Sequence, residues 1–365
     1  MGVMSLSARK RRVMVAAAAE GVDALLVTHL PDVRYLCGFT GSSGVLVLVA
    51  GKAVLFTDGR YTTQAKAEVK GATIEISQGA ALGAACAWVG ASGEVKRCGF
   101  DAAYTTVAAL ETMRVAVPAK VRRGMFVALG SIVAGLRQVK DADEIATMRE
   151  AAALGCRLFE GIFDVISAGA TEVEVALALE GRARRAGAEG MSFETIVASG
   201  ARSALPHGRA TGAKLPRKGF VTLDFGVMWG GYASDMTRTV HMGRAEREEQ
   251  DVYHSVLEAQ MAAIAAVKPG VAAGAVDEAA RSVLRRDGLG EYFSHSTGHG
   301  VGLEIHEGPR LAAKQTQVLE AGMVITIEPG VYLPGRFGVR IEDMVLVTKA
   351  GCEVLTPATK AWIEL

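Results

Sequence analysis

The period of hydrophobic and polar positions changes along the chain, and the changes divide it. Up to about residue 130, β-branched runs (VDALLVT, GVLVLVA, KAVLFTD) alternate with helically spaced segments (ARKRRVMVAAAAE, RYTTQAKAEVK, TTVAALETMRV). The first kind reads as strands, and the alternation predicts an α/β domain with helices packed on a mixed sheet. GSIVAGLRQVKD then reads as a linker, which sets two domains, 1–131 and 132–365.

Beyond the linker the pattern repeats. Helices at about 141–167 and 171–186 precede a hairpin at 219–241, and helices at about 245–267 and 275–288 precede one at 323–348. Thr171 followed by Glu174 has capping-box spacing. The duplication predicts a curved antiparallel sheet with a pseudo-twofold repeat, with helices outside and a concave inner face.

Each hairpin carries two acids. If Met228–Gly231 is a four-residue loop, Asp224 and Asp235 oppose each other; a Pro334–Arg336 loop does the same for Glu328 and Glu342. Opposed side chains share a face with Cβ atoms about 5 Å apart. Like charges there are unfavourable unless something bridges them, whereas chance register would leave four exposed strand carboxylates. His299, in Gly298-His299-Gly300-Val301-Gly302, adds an imidazole whose glycine neighbours let the backbone approach a ligand closely. The five residues Asp224, Asp235, His299, Glu328 and Glu342 suit two divalent ions such as Mn, Co or Zn. Arg340 shares the face of Glu342 and can orient a carboxylate or bind an anionic substrate end; Thr237 shares the face of Asp235. His207, His295, His306 and Tyr332 lie near these motifs, each with an ordinary loop or packing role as the alternative.

Composition narrows the partners. The chain has 365 residues, enough for two domains, and is 50% hydrophobic but only 6% aromatic, so Ala, Val and Leu build the core. A net charge of +1 supports neither a nucleic-acid nor an anionic-membrane partner. Glu20 interrupts the one stretch with signal-peptide character, and no run approaches the ~18 apolar residues of a membrane span. Five scattered cysteines without CxxC read as reduced packing residues, which points to the cytoplasm. There is no GxSxG elbow, phosphate loop or GxGxxG, and HEGP at 306–309 lacks the second histidine of HExxH.

The set LDFG, SDMTRT, GHGVGLEIHE, EPGVY and VRIED resembles the pita-bread metallopeptidases, which include Xaa-Pro aminopeptidases, prolidases and methionine aminopeptidases. RYLCGFTGSSG and FTDGRYTTQA are similar to the N-terminal domain of the creatinase, prolidase and aminopeptidase P branch. That domain disfavours methionine aminopeptidase, and the five ligands disfavour creatinase. The resemblance implies a creatinase-like α/β domain, a pita-bread catalytic domain and a homodimer. It further implies a dinuclear Mn enzyme (Co or Zn as alternatives) acting on proline-containing peptides. His207 and His306 match catalytic histidines, Glu328 is the candidate proton shuttle, and Arg340, Tyr332 and His295 support the pocket. Arg202 departs from the Asn of many relatives. The expected activity is Xaa-Pro aminopeptidase, with Xaa-Pro dipeptidase as the alternative and an inactive peptide-binding module as a third reading.

Overall fold

The computed structural model describes residues 4–365, which form two units, one ending at Arg137 and one beginning at Gln138. In the first, six strands follow the order Thr73–Ser77, Lys52–Asp58, Val45–Val49, Ala24–Val27, Cys98–Asp101, Phe126–Leu129. The sheet is mixed: the three sequential strands from Ala24 to Asp58 pair antiparallel, and the outer pairings are parallel. Its central strands are buried on both faces, which is why they read as continuous apolar runs. The expected linker is instead the short helix Ile132–Arg137, grouped with this unit. Within it, Arg137 and Asp32 form a buried ion pair at 2.7 Å.

The second unit has the expected doubled layout. Helices Ala142–Glu160 and Glu172–Arg185 precede the first hairpin; Arg247–Ala266 and Ala273–Arg286 precede the second. Capping boxes start three of them, Asp141 with Glu144, Thr171 with Glu174 and Glu246 with Glu249. The first helix stops at Glu160, well short of 167. Arg182 explains the early stop: it donates to the Gly161 carbonyl and reaches the Asp164 carboxylate at 2.8 Å, holding 161–167 as a turn.

The inner sheet is segmented where the acids sit. Strands Met236–Met242, Gly219–Phe225 and Ile196–Ser199 form one ladder. Glu307–Leu311, Gly298–Gly300, Val324–Ile327, Asp343–Val347 and Cys352–Val354 form a second. Gly330–Leu333 and Phe337–Arg340 make a two-stranded tip. Helices pack on the outside through two apolar cores, one around Val256, Val276 and Ile325 and the other around Phe159, Leu179 and Leu223.

Candidate metal centre

The two hairpins differ in register. In the second, Leu333 pairs with Phe337 at the tip and Ile327 with Asp343 at the base, so Glu328 and Glu342 face each other across the gap, as expected. In the first, Trp229 pairs with Tyr232 around a two-residue Gly230-Gly231 turn, not a four-residue loop. Both glycines have positive φ, 56° and 79°, the requirement of a type I′ turn. Asp224 therefore pairs with Thr237, and Asp235 lies two residues further along. A shift of two keeps every side chain on its face, so both acids still point inward.

His299 lies in the short strand Gly298–Gly300, wedged between two others. A Cβ on Gly298 would stand 1.9 Å from the Thr326 carbonyl oxygen, and one on Gly300 2.0 Å from that of Gly308. The close approach requires glycine on both sides. His299 Nδ1 donates to the Gly300 carbonyl at 3.0 Å, which leaves Nε2 unprotonated. That lone pair lies 3.6 Å from Asp235 Oδ2 and 3.5 Å from Glu328 Oε1. Ligand atoms of Asp235, His299 and Glu342 all fall within 4.8 Å of one another. Thr237 donates to Glu342 Oε2 at 2.6 Å, and Thr326 to Glu328 Oε1 at 3.2 Å, fixing how these acids point.

Asp224 completes the cluster. Its Oδ2 accepts from Arg340 at 2.5 Å, while Oδ1 is buried without a hydrogen-bond partner. A buried carboxylate oxygen of that kind is costly unless a cation meets it. Burial, then the Glu342, Asp224 and Glu328 charges, pushes Asp235 well above the carboxylate range. Burial followed by Glu328 and Asp224 does the same to Glu342, and burial raises Glu328 to about 8 against the pull of Arg340. Burial lowers His299 to about 4, keeping the ring neutral. Acids that resist ionising beside a neutral imidazole form a site that trades protons for cations. The residues present fit a divalent metal.

A cavity of about 730 Å³ opens over this cluster, with His207, His295, His306, Arg209 and Arg310 among its lining residues. Arg340 donates to the Tyr332 hydroxyl at 2.7 Å, and that hydroxyl donates to His295 Nε2 at 2.9 Å. His295 Nδ1 donates to the Ser296 carbonyl at 2.8 Å, consistent with a ring that burial lowers to about 4. The His299 and His306 rings sit 4.4 Å apart, edge to face. All ten sequence-selected site residues thus border one pocket or its supporting network. Reasoning from sequence passed over Arg310, which directly follows HEGP, and Arg209, two residues after His207. It also passed over Thr326, detectable as a strand residue two before Glu328.

Behind the sheet, buried Arg238 meets Asp343 at 2.7 Å and donates to the carbonyls of Glu342, Thr356, Ala358 and Thr359. Lys360 and Gln260 both reach Asp343 Oδ2, at 2.6 and 2.8 Å. The segment 356–360 is thereby tied to the back of the strand whose other face presents Glu342.

Acidic side chains and an imidazole, gathered inside a duplicated hairpin sheet in a chain that also carries an α/β domain, define a metallopeptidase. Residues 146–349 match Metallopeptidase family M24, and residues 9–139 match the Creatinase/Prolidase N-terminal domain. The chain belongs to metallopeptidase family M24. It is 35% identical to the Xaa-Pro dipeptidase of Pyrococcus horikoshii, covering 94% of this chain and 95% of that one. The Xaa-Pro dipeptidase structure from Bacillus anthracis matches with a TM-score of 0.95 at 38% identity, over 99% of this chain and 100% of that one. An X-Pro aminopeptidase structure from Thermotoga maritima matches with a TM-score of 0.87 at 36% identity, over 94% and 98%. Among the described residues, no helix is long and apolar enough to cross a membrane.

Proposed function

We propose that the protein is a divalent-metal-dependent Xaa-Pro dipeptidase. One observation carries the metal chemistry: the His299 Nε2 lone pair faces two carboxylates while a buried Asp224 oxygen has no partner. Asp224, Asp235, His299, Glu328 and Glu342 would hold two cations, Mn first and Co or Zn as alternatives. Bound divalent ions bring the pKa of water toward neutrality and polarise a carbonyl oxygen. Glu328, whose Oε1 is oriented by the Thr326 hydroxyl, would pass a proton from the attacking water to the departing proline nitrogen. His207 and His306 line the cavity wall and would donate to the carbonyl oxygen of the residue before proline. Arg340, locked by Tyr332 and Asp224, keeps that wall in place.

Dipeptidase takes precedence over the aminopeptidase expected from sequence because relatives described as Xaa-Pro dipeptidases match over nearly the whole of both chains. The exposed guanidinium of Arg310 on the cavity wall supports the same choice. It offers a counter-charge to the free carboxylate of a dipeptide, which a longer peptide carries further away. The Thermotoga maritima relative keeps aminopeptidase activity as the second reading. Turnover of Xaa-Pro and Xaa-Pro-Xaa peptides under added Mn separates them. Cleavage of the dipeptide alone is expected; comparable kcat/KM on the tripeptide replaces the dipeptidase reading, and no cleavage of either removes both. We extend the proposal to a homodimer, to be checked by sedimentation.

A further inference from the structure

The loop from Ser199 to Thr211 brings His207 to the cavity, and it closes around one buried carboxylate. Glu172, the first residue of helix Glu172–Arg185, is fully buried. Its Oε1 accepts from the Ser199 backbone N–H at 2.9 Å and the Ser199 hydroxyl at 3.0 Å. Its Oε2 accepts from the Thr211 backbone N–H at 3.1 Å and the Thr211 hydroxyl at 2.8 Å. Arg202 Nε lies 3.2 and 3.1 Å from the two oxygens, and its Nη2 donates to the Arg209 carbonyl at 2.7 Å. Both ends of the loop and its middle therefore converge on one side chain from another element.

Helix capping does not account for this arrangement. Thr171 and Glu174 already form the capping box, and the Glu172 and Val173 N–H groups donate to the Ala213 and Thr211 carbonyls, both at 3.0 Å. A buried carboxylate is tolerated only when fully hydrogen-bonded, so its donors are held as firmly as it is. On the loop's other side, Arg340 donates to the Pro206 carbonyl at 3.0 Å and the Gly338 N–H to the Ser203 hydroxyl at 2.9 Å. His207 is itself exposed, so its place is set by this backbone rather than by packing around the ring.

We propose that Glu172, braced by Arg202, is a positioning residue for the hydrolysis. It fixes the Ser199–Thr211 loop and so sets the reach of His207 toward the scissile carbonyl, while touching neither substrate nor metal. The inference rests on the role given to His207 above. Displacing a reacting group by ~1 Å costs up to about a hundredfold in rate. Glu172→Gln and Arg202→Gln should accordingly lower kcat with Xaa-Pro by between about tenfold and a hundredfold, with Mn affinity by calorimetry unchanged within about twofold. On a His207→Ala background neither substitution should lower kcat further. An equal loss on that background, a parallel loss of Mn affinity, or full activity of both variants beside an impaired His207→Ala enzyme would overturn the proposal. Full activity of His207→Ala would instead remove the role of His207, and the proposal with it. Should Glu172→Gln fail to fold, Arg202→Gln carries the test, because that side chain is one-third exposed.

Discussion

The two hairpins do the same job by different routes. In the second, Glu328 and Glu342 face each other, and a Pro334-Gly335-Arg336 turn sets that register from the tip. In the first, a Gly-Gly turn moves the pairing by two, so Asp224 faces Thr237 and Asp235 stands beyond the opposed position. The cluster needs inward-pointing acids, not symmetric ones. Strand parity is the constraint that matters, because only an odd shift would turn an acid outward. The shift has a consequence for support: Thr237, placed opposite Asp224, donates across to Glu342 and joins the hairpins.

The largest test removes one acid from each hairpin. Asp235→Ala and Glu342→Ala should each cut turnover by on the order of 10³-fold or more, since metal activation supplies several kcal/mol of transition-state stabilisation. Steady-state kinetics with metal content measured alongside would show whether the hairpins are equivalent; near-normal turnover in either variant would exclude that hairpin from the metal site. Next, Arg340→Met severs one link between the hairpins and leaves Asp224 buried without its guanidinium partner. The metal-free protein should lose about 3 kcal/mol of unfolding free energy, and Mn should restore part of it. Equal loss with and without Mn would mean that Asp224 does not meet the cation.

The third test is pH dependence without metal. Glu328 titrates at about 8 in the folded protein and near the ordinary carboxylate value when unfolded; Asp235 and Glu342 are raised in the same direction. The folded state then binds more protons, so the stability these acids contribute is full at low pH and is lost as pH rises toward 8. His295 and His299, lowered to about 4, act oppositely: their contribution is full above 6.5 and lost as pH falls toward 4. Between pH 6.5 and 8 the acids act alone. The metal-free Tm should fall across that window, and the rise in Tm on adding Mn should grow. A Tm independent of pH there would contradict the proton-holding cluster.

The smallest test concerns the turns. Gly230→Ala places a Cβ 2.7 Å from Thr147 Cγ2 at a φ of 56°, whereas Gly335→Ala meets nothing within 4 Å at 73°. Left-handed backbone alone should cost Gly335→Ala about 1 kcal/mol, and Gly230→Ala about 2 kcal/mol with the contact added. Denaturant melts should preserve that order; its reversal would show that the first turn relaxes more easily than its tight pairing implies.

Much of this was legible in sequence because local chemistry dictated it. Alternating strand and helix patterns gave the first unit, the Thr171–Glu174 spacing gave one helix start, and Pro-Gly-Arg gave the second hairpin. Gly230-Gly231 was legible too as a two-residue type I′ signal, but the flanking Met228 and Trp229 read equally well as loop. The end of the first helix was hidden because its cause, Arg182, comes from the next helix. Glu172 read as an ordinary first-turn acid because its partners, Ser199, Arg202 and Thr211, are distant in sequence. Side chains that converge through tertiary contacts leave no periodic trace.

Arg238 ties Glu342 to a segment about 120 positions along the chain from itself. Contacts of such span close only after the intervening chain has folded, because their loop entropy must be met first. Cation-binding competence should therefore be among the last properties the molecule acquires as it matures, arriving when residues 356–360 dock rather than when the acids first meet.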